Sequence, residues 1–437
     1  MRGASEIATL AGGLRRGSAQ DDVGLLRTDD RAGAAPAAGA GPALAAYEGR
    51  IVAVGSLPEV ERQLDGLGIP STQLADLDAG GCTVTPGLID PHTHLLFAGT
   101  RHAELALRQR GHGYLEILAA GGGILQTVRQ TRAATDEELL AGARRWLGEM
   151  LRHGTTTVEV KSGYGLDTQQ ELRLLGLAGR LAAEGPLEVV PTFLGAHAVA
   201  PEFRGRTDGA SAYLDSVIGE QLPRVAEQGI ATACDVFCEE TVFDVPGSRR
   251  LLDAARALGL APRLHADELH ASGGAELAAE LGARSADHLA AVGAEGIEAL
   301  GRAADEGRPV VATLLPATTL YLLGEHYAPA RALIERGVPV ALGSDFNPGT
   351  SPTPNLQLVM SLACLKLGLS PAEALAGMTV NAAAALDLEE TTGSLEVGKH
   401  ADLVLWEVQS HELLPYWLGA DLIRAVVKRG RLVHQRA

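Results

Sequence analysis

Eight short apolar, β-branched runs recur through the middle of this 437-residue chain, each followed by a stretch with helical spacing of Leu and Ala. The runs cover residues 83–89, 156–160, 187–193, 231–237, 262–266, 285–289, 309–314 and 338–343. Helix-like segments such as 136–152, 168–183, 247–258 and 274–281 separate them. Parallel strands need helical crossovers, so this alternation predicts an α/β protein with a parallel sheet. Eight repeats fit a (β/α)₈ TIM-like barrel; an open doubly wound sheet is the competing arrangement. Polar residues cluster at the C-terminal ends of the runs. That is the rim where barrel enzymes carry their chemistry, which favours the barrel.

The two ends of the chain read differently. Residues 49–55 form a strand pattern after a turn, and the alanine-, glycine- and proline-rich stretch 32–46 before it reads as a surface loop. Residues 393–405 suggest a turn and a strand, and 424–430 another. The expected organisation is therefore a barrel over 83–388, with 1–82 and 389–437 pairing into a small separate β domain.

Hydrophobic residues make up 46% of the chain and charged residues 21%, a globular balance. The net charge of -17 repels nucleic acid and anionic membranes, so neither is expected as a partner. A small acidic substrate stays possible, because a few local arginines outweigh a distant field. Four cysteines in so long a chain make no disulfide framework. Cys234 and Cys238 lack a second pair and read as small buried side chains. No stretch has the form of a secretion signal, and the uncharged stretch 32–47 is too broken by Gly and Pro to span a bilayer. The expected location is the cytoplasm.

The strand ends hold the chemistry. The first run leads into Asp90-Pro91-His92-Thr93-His94, and His-x-His on extended backbone puts both imidazoles on one side. Two imidazoles side by side suit a divalent cation such as zinc. The fifth run ends His265-Ala266-Asp267-Glu268, the sixth Asp287-His288 and the eighth Ser344-Asp345. His265 and Asp345 complete a nitrogen/oxygen shell with space for water, and a cation in such a shell acidifies that water. Glu268 and His288 remain as proton carriers tunable by burial. Taken singly, each is an ordinary hydrogen-bonded strand-end group; as a set on one alternating array they are not.

His92-Thr93-His94, His265, His288 and Asp345, in that order, resemble the metal-site pattern of the amidohydrolase superfamily, and His265-Ala266-Asp267-Glu268 resembles its mononuclear branch. That likeness implies a small β-sandwich built from both chain ends beside the barrel. It implies His92, His94, His265 and Asp345 as ligands to one metal ion per subunit, Zn(2+) or Fe(3+). It also implies Glu268, His288 and Asp345 as the catalytic groups, with the division of acid and base work between Glu268 and His288 open. Further motifs are similar to the imidazolonepropionase family: Phe97-Ala98-Gly99-Thr100-Arg101, Ala120-Gly121-Gly122-Gly123-Ile124, Val160-Lys161-Ser162-Gly163-Tyr164-Gly165-Leu166, Phe193-Leu194-Gly195-Ala196-His197-Ala198-Val199 and Asp345-Phe346-Asn347-Pro348-Gly349-Thr350-Ser351.

This second likeness implies hydrolysis of the ring C–N bond of 4-imidazolone-5-propanoate to N-formimidoyl-L-glutamate in histidine degradation. Arg101 would grip a carboxylate with its bidentate fork. Tyr164, His197, Glu268, Asn347, Gly349 and Thr350 would complete the substrate contacts. A homodimer follows from the same resemblance. Lys161 reads as structural or as supporting the site from behind. The alternatives are a mononuclear-metal deaminase of a heterocyclic base, with the same ligand set, and a catalytically inactive barrel scaffold. The last requires lost ligands, and none is missing.

Overall fold

The computed structural model describes residues 1–27, 41–112, 116 and 122–436. Its centre is an eight-stranded parallel sheet whose strands follow one another in chain order. They are β1 (Leu88–Asp90), β2 (Thr155–Lys161), β3 (Glu188–Ala196), β4 (Ala233–Cys238), β5 (Ala261–Ala266), β6 (Ser285–His288), β7 (Val311–Leu314) and β8 (Val340–Leu342). Beyond the last strand the ring is drawn together by a parallel bridge between Thr93 and Phe346. Asp345 N–H donates to His92 O at 3.0 Å and His94 N–H to Phe346 O at 2.9 Å. The barrel is nearly closed, and the open doubly wound sheet is excluded.

The crossover helices form where spacing predicts them. The helix Asp136–Arg152 starts with a capping box, in which Thr135 and Glu138 satisfy each other's backbone N–H groups. It buries Leu139, Leu140, Ala143, Leu147 and Met150 on one face. Asp167 caps the helix Thr168–Glu184 by accepting from Gln170 N–H at 2.8 Å. The helix Gly274–Leu281 stops at Gly282, whose φ of 61° is the left-handed turn that glycine accepts without strain.

One predicted strand divides. The run 83–89 is not a single barrel strand: Thr83–Pro86 pairs with Glu6–Ala8 and Leu403–Trp406 in a separate sheet, and only Leu88–Asp90 enters the barrel. Gly87 marks the break, where a Cβ would lie 2.2 Å from Thr156 Oγ1. Its N–H bonds to Asp402 O on one side while Leu88 N–H bonds to Gly154 O on the other.

The separate sheet has six strands drawn from both chain ends: Arg431–Gln435, Ile423–Lys428, Leu403–Trp406, Thr83–Pro86, Glu6–Ala8 and Leu25–Arg27. Against it packs a hairpin of Pro42–Tyr47 and Arg50–Ser56, with Leu44 and Ile51 sharing a core with Ile7, Val84, Leu403 and Leu405. The expected loop over 32–46 is thus corrected in its last residues, which are strand. Their small side chains let Ala43 and Ala45 pack under Val60 and Leu64 of the helix Leu57–Leu67. Residues 28–40 lie outside the described residues, as do Tyr114 and the first two residues of the motif at 120–124. Cys234 and Cys238 are buried free thiols in β4. Among the described residues, no helix is long and apolar enough to cross a membrane.

Candidate metal centre and active site

Side chains alternate along a strand, so residues two apart on β2, β4 and β5 point into the barrel together. Glu159 and Lys161, Asp235, Arg263 and His265, and Asp287 thereby form a charged layer that is at most 3% exposed at any member. Lys161 Nζ lies 2.6 Å from Asp235 Oδ2, 2.9 Å from Glu159 and 3.7 Å from Asp287 Oδ2. Arg263 Nη1 reaches Glu159 at 2.5 Å.

Above this floor stand the histidines. His92 Nδ1 is 2.6 Å from Asp287 Oδ2, and His265 Nδ1 is 3.0 Å from Asp235 Oδ1. An ionised carboxylate only accepts, so each ring carries its proton on Nδ1 and turns a bare Nε2 upward. His92 Nε2 is buried without a hydrogen-bond partner. Around that point Asp345 Oδ1 lies 3.7 Å from His92 Nε2 and 3.4 Å from His94 Nε2, and His265 Nε2 lies 3.5 Å from His94 Nε2. A cation about 2.1 Å from each of four tetrahedral donors separates those donors by roughly 3.4 Å. His92, His94 and Asp345 place their ligand atoms within 4.8 Å of one another, with His265 Nε2 3.5 Å from His94 Nε2, so these residues could hold a metal ion. Thr318 Oγ1 donates to Asp345 Oδ2 at 2.6 Å, which leaves Oδ1 aimed at the histidines.

Burial drives both His92 and His94 well below the ordinary imidazole range, with the Lys161 charge adding to it, so both stay in the neutral form that ligates. Burial alone would lower His265 too, but the Asp235 carboxylate outweighs it and raises that ring. His288 and Asp345 hold left-handed backbone at φ 73° and 51°. For residues other than glycine this costs about 1–3 kcal/mol each and is typical where function dictates the aim of a side chain.

A cavity of about 320 Å³ opens above the cluster, lined by His94, His265, Asp345, Glu268, His288, Arg101, Tyr164, His197, Asn347 and Thr350 among others. Gly349 lies beneath Arg101: a Cβ there would fall 2.0 Å from Nη1, so only glycine lets the guanidinium lie down on this loop. Burial, reinforced by Asp345, pushes the Glu268 carboxyl up to about 8. His288 is pushed down to about 3, again by burial first. Their nearest atoms are 3.6 Å apart. His197 stacks on His94, ring centroids 4.7 Å apart at 15°, and its Nδ1 donates to Gly163 O at 3.1 Å. Arg101 is buried rather than on the surface, forked onto Glu104 by two 3.0 Å bonds. Every site residue expected from the sequence is thus in or beside one cavity.

A model of the Amidohydrolase family matches residues 101–434. Imidazolonepropionase from Symbiobacterium thermophilum is 49% identical over 432 residues, covering 99% of this chain and 96% of that protein. The enzyme of the same name from Geobacillus kaustophilus is 49% identical over 388 residues, covering 88% of each. The chain belongs to the imidazolonepropionase family.

Solved structures show how widely its fold is shared. A 5-methylcytosine deaminase from Klebsiella pneumoniae superposes with a TM-score of 0.69 at 18% identity, covering 91% of this chain and 96% of that one. E. coli guanine deaminase gives 0.65 at 19%, covering 90% and 93%. Such distant likeness concerns the barrel and terminal sheet alone. Within the imidazolonepropionase family assignment, the residues that sequence reasoning passed over are Glu104, Glu159, Asp235 and Asp287. Glu159 left a legible signal, since it is an ionisable group amid β-branched residues, two positions from Lys161.

Proposed function

We propose that this cavity hydrolyses the ring C–N bond of 4-imidazolone-5-propanoate, giving N-formimidoyl-L-glutamate in histidine degradation. The observation that carries the reading is the pairing, in one cavity, of a four-donor metal set with a buried arginine. Such a substrate has a ring carbonyl to attack at one end and a carboxylate to hold at the other.

In this reading His92, His94, His265 and Asp345 hold one metal ion. Bound there, the ion supplies an acidified water and polarises a carbonyl oxygen. Arg101 binds the propionate, its direction fixed by Glu104 and its height by Gly349. Tyr164 and His197 meet the ring, and Asn347, Gly349 and Thr350 shape the wall beside the anion. Asp345 and His288 receive the proton that water loses. His288 also donates to the carbonyl oxygen as charge builds on it. Glu268 carries a proton to the ring nitrogen as the C–N bond breaks; a carboxyl raised by burial releases and recovers protons near neutral pH.

Zinc is the ion we favour. Three imidazoles and one carboxylate are a donor set that tetrahedral zinc takes readily. We further propose a homodimer acting in the cytoplasm. The test is purified protein with freshly made 4-imidazolone-5-propanoate, followed by ring absorbance, ammonia release and metal content. Loss of absorbance without ammonia, at one zinc per chain, is expected. Ammonia release would transfer the assignment to a deaminase, and an intact ring with full metal would end it.

A further inference from the structure

We infer that Lys161 is a positioning residue for the metal centre: one ammonium beneath it holds the two carboxylates that set the tautomer and aim of His92 and His265, and so governs how tightly the site holds its cation. This rests on the metal reading above and goes one layer further down.

The connectivity is direct. Lys161 ends β2, is fully buried, and touches Asp235 Oδ2 at 2.6 Å with Asp287 Oδ2 at 3.7 Å. The other oxygen of Asp235 faces both the ring Nδ1 and the backbone N–H of His265, at 3.0 and 3.2 Å. The same Asp287 oxygen takes the His92 Nδ1 contact at 2.6 Å. Arg263, the other buried cation of the floor, spends its contacts on Glu159 and Thr192, at 2.5 and 3.0 Å. Among the described residues, Lys161 is therefore the cation that serves both aspartates.

Without it, two carboxylates face each other in a medium where like charges repel strongly. Each then loses the contact that holds it in place and swings away from the other. An imidazole whose Nδ1 has lost its fixed acceptor no longer keeps Nε2 aimed at the cation. His94 is built differently: its Nδ1 has no partner among the described residues, and the ring is held by stacking on His197. The device therefore acts on two ligands out of three.

A lysine that only neutralises a buried layer would affect folding and leave metal binding alone, which separates the two roles. Zinc affinity is measured by competition with a chromophoric chelator on metal-stripped protein, and Co(II) absorption reports the ligand field. Disturbing the partners of metal-bound histidines costs on the order of 10–100-fold in affinity. Lys161→Met is expected to weaken zinc by that factor and to alter the cobalt bands. Asp287→Asn is expected to do the same. The double variant is expected to fall well short of the product, because both lie on one path. Glu159→Gln touches the ammonium but neither ring, and is expected to stay within about threefold of wild type.

Should Lys161→Met not fold, Glu159→Gln/Lys161→Met removes one charge of each sign and carries the same expectation. A folded variant lacking Lys161 with wild-type zinc affinity and cobalt spectrum overturns the inference, as do strictly multiplicative effects. Wild-type protein that binds no zinc overturns the metal reading instead.

Discussion

The barrel floor and the terminal sheet are both walled by β-strands, yet their interiors are opposite in kind. In the terminal sheet Ile7, Val84, Leu395, Leu403, Leu405 and Val427 make an apolar core. In the barrel the same depth of burial is given to Glu159, Lys161, Asp235, Arg263 and Asp287. Apolar burial contributes stability at roughly 25 cal/mol per Å², whereas a buried ionic layer is costly to desolvate and often adds none. The floor is thus retained for what it orients. The contrast teaches that damage in the barrel should appear first in chemistry, and damage in the sheet first in stability.

The largest effect should come from Asp345→Asn. It removes the anionic donor while Thr318 still pins the side chain. A loss of about 10³ or more in kcat/KM is expected, corresponding to roughly 4 kcal/mol of transition-state stabilisation, with zinc lost on dialysis and the melting curve little changed. Glu268→Gln should lower kcat by on the order of 10²–10³ while zinc remains at one per chain, since in the proposed scheme the residue moves a proton and does not ligate. Steady-state rates beside metal analysis check both. Near-normal turnover by Glu268→Gln would remove that residue from the scheme.

On the other side of the comparison, Leu405→Ala empties a fully buried site in the terminal sheet. It should cost about 2–5 kcal/mol in urea unfolding and leave kcat/KM per folded molecule unchanged. A large kinetic effect would show that the sheet and the barrel rim are not independent. Smaller again is Arg101→Lys, which keeps the charge and loses the fork. KM should rise about tenfold with kcat nearly kept.

The smallest effect concerns acid. Glu6 lies in the terminal sheet, where burial alone would raise its carboxyl, but hydrogen bonds from His411 and Arg27 outweigh this and hold it below the ordinary 4.5. A carboxyl depressed by folding stabilises the protein above about 4.5, and that contribution fades as pH falls through the folded-state value. The stability gap between wild type and Glu6→Gln should therefore be constant near neutrality and close in acid. A gap independent of pH would remove Glu6 from the acid response.

Legibility followed the range of the interactions involved. The helix Asp136–Arg152 and its start at Thr135 are local events, set by the periodicity of Leu139, Leu140, Ala143 and Leu147 and by a cap four residues away. His92 and His94 were readable as a pair because alternation alone puts them on one side. Gly87 was not readable as a break: the clash that forbids a side chain there comes from Thr156, on the neighbouring strand. Residues 42–46 read as loop by composition and are strand because of what they pack against.

What the chain determined by itself was the alternation of strands and helices, the rim on which its histidines, carboxylates and Arg101 stand, and the direction each side chain takes from its own backbone. Only the tertiary structure decided which of those groups meet. His92 reaches Asp287 across 195 positions, and Ser344 reaches Asp90 across 254. The division has one cause: backbone periodicity is set within a few residues, whereas the neighbours of a side chain inside a barrel are set by where the ring closes.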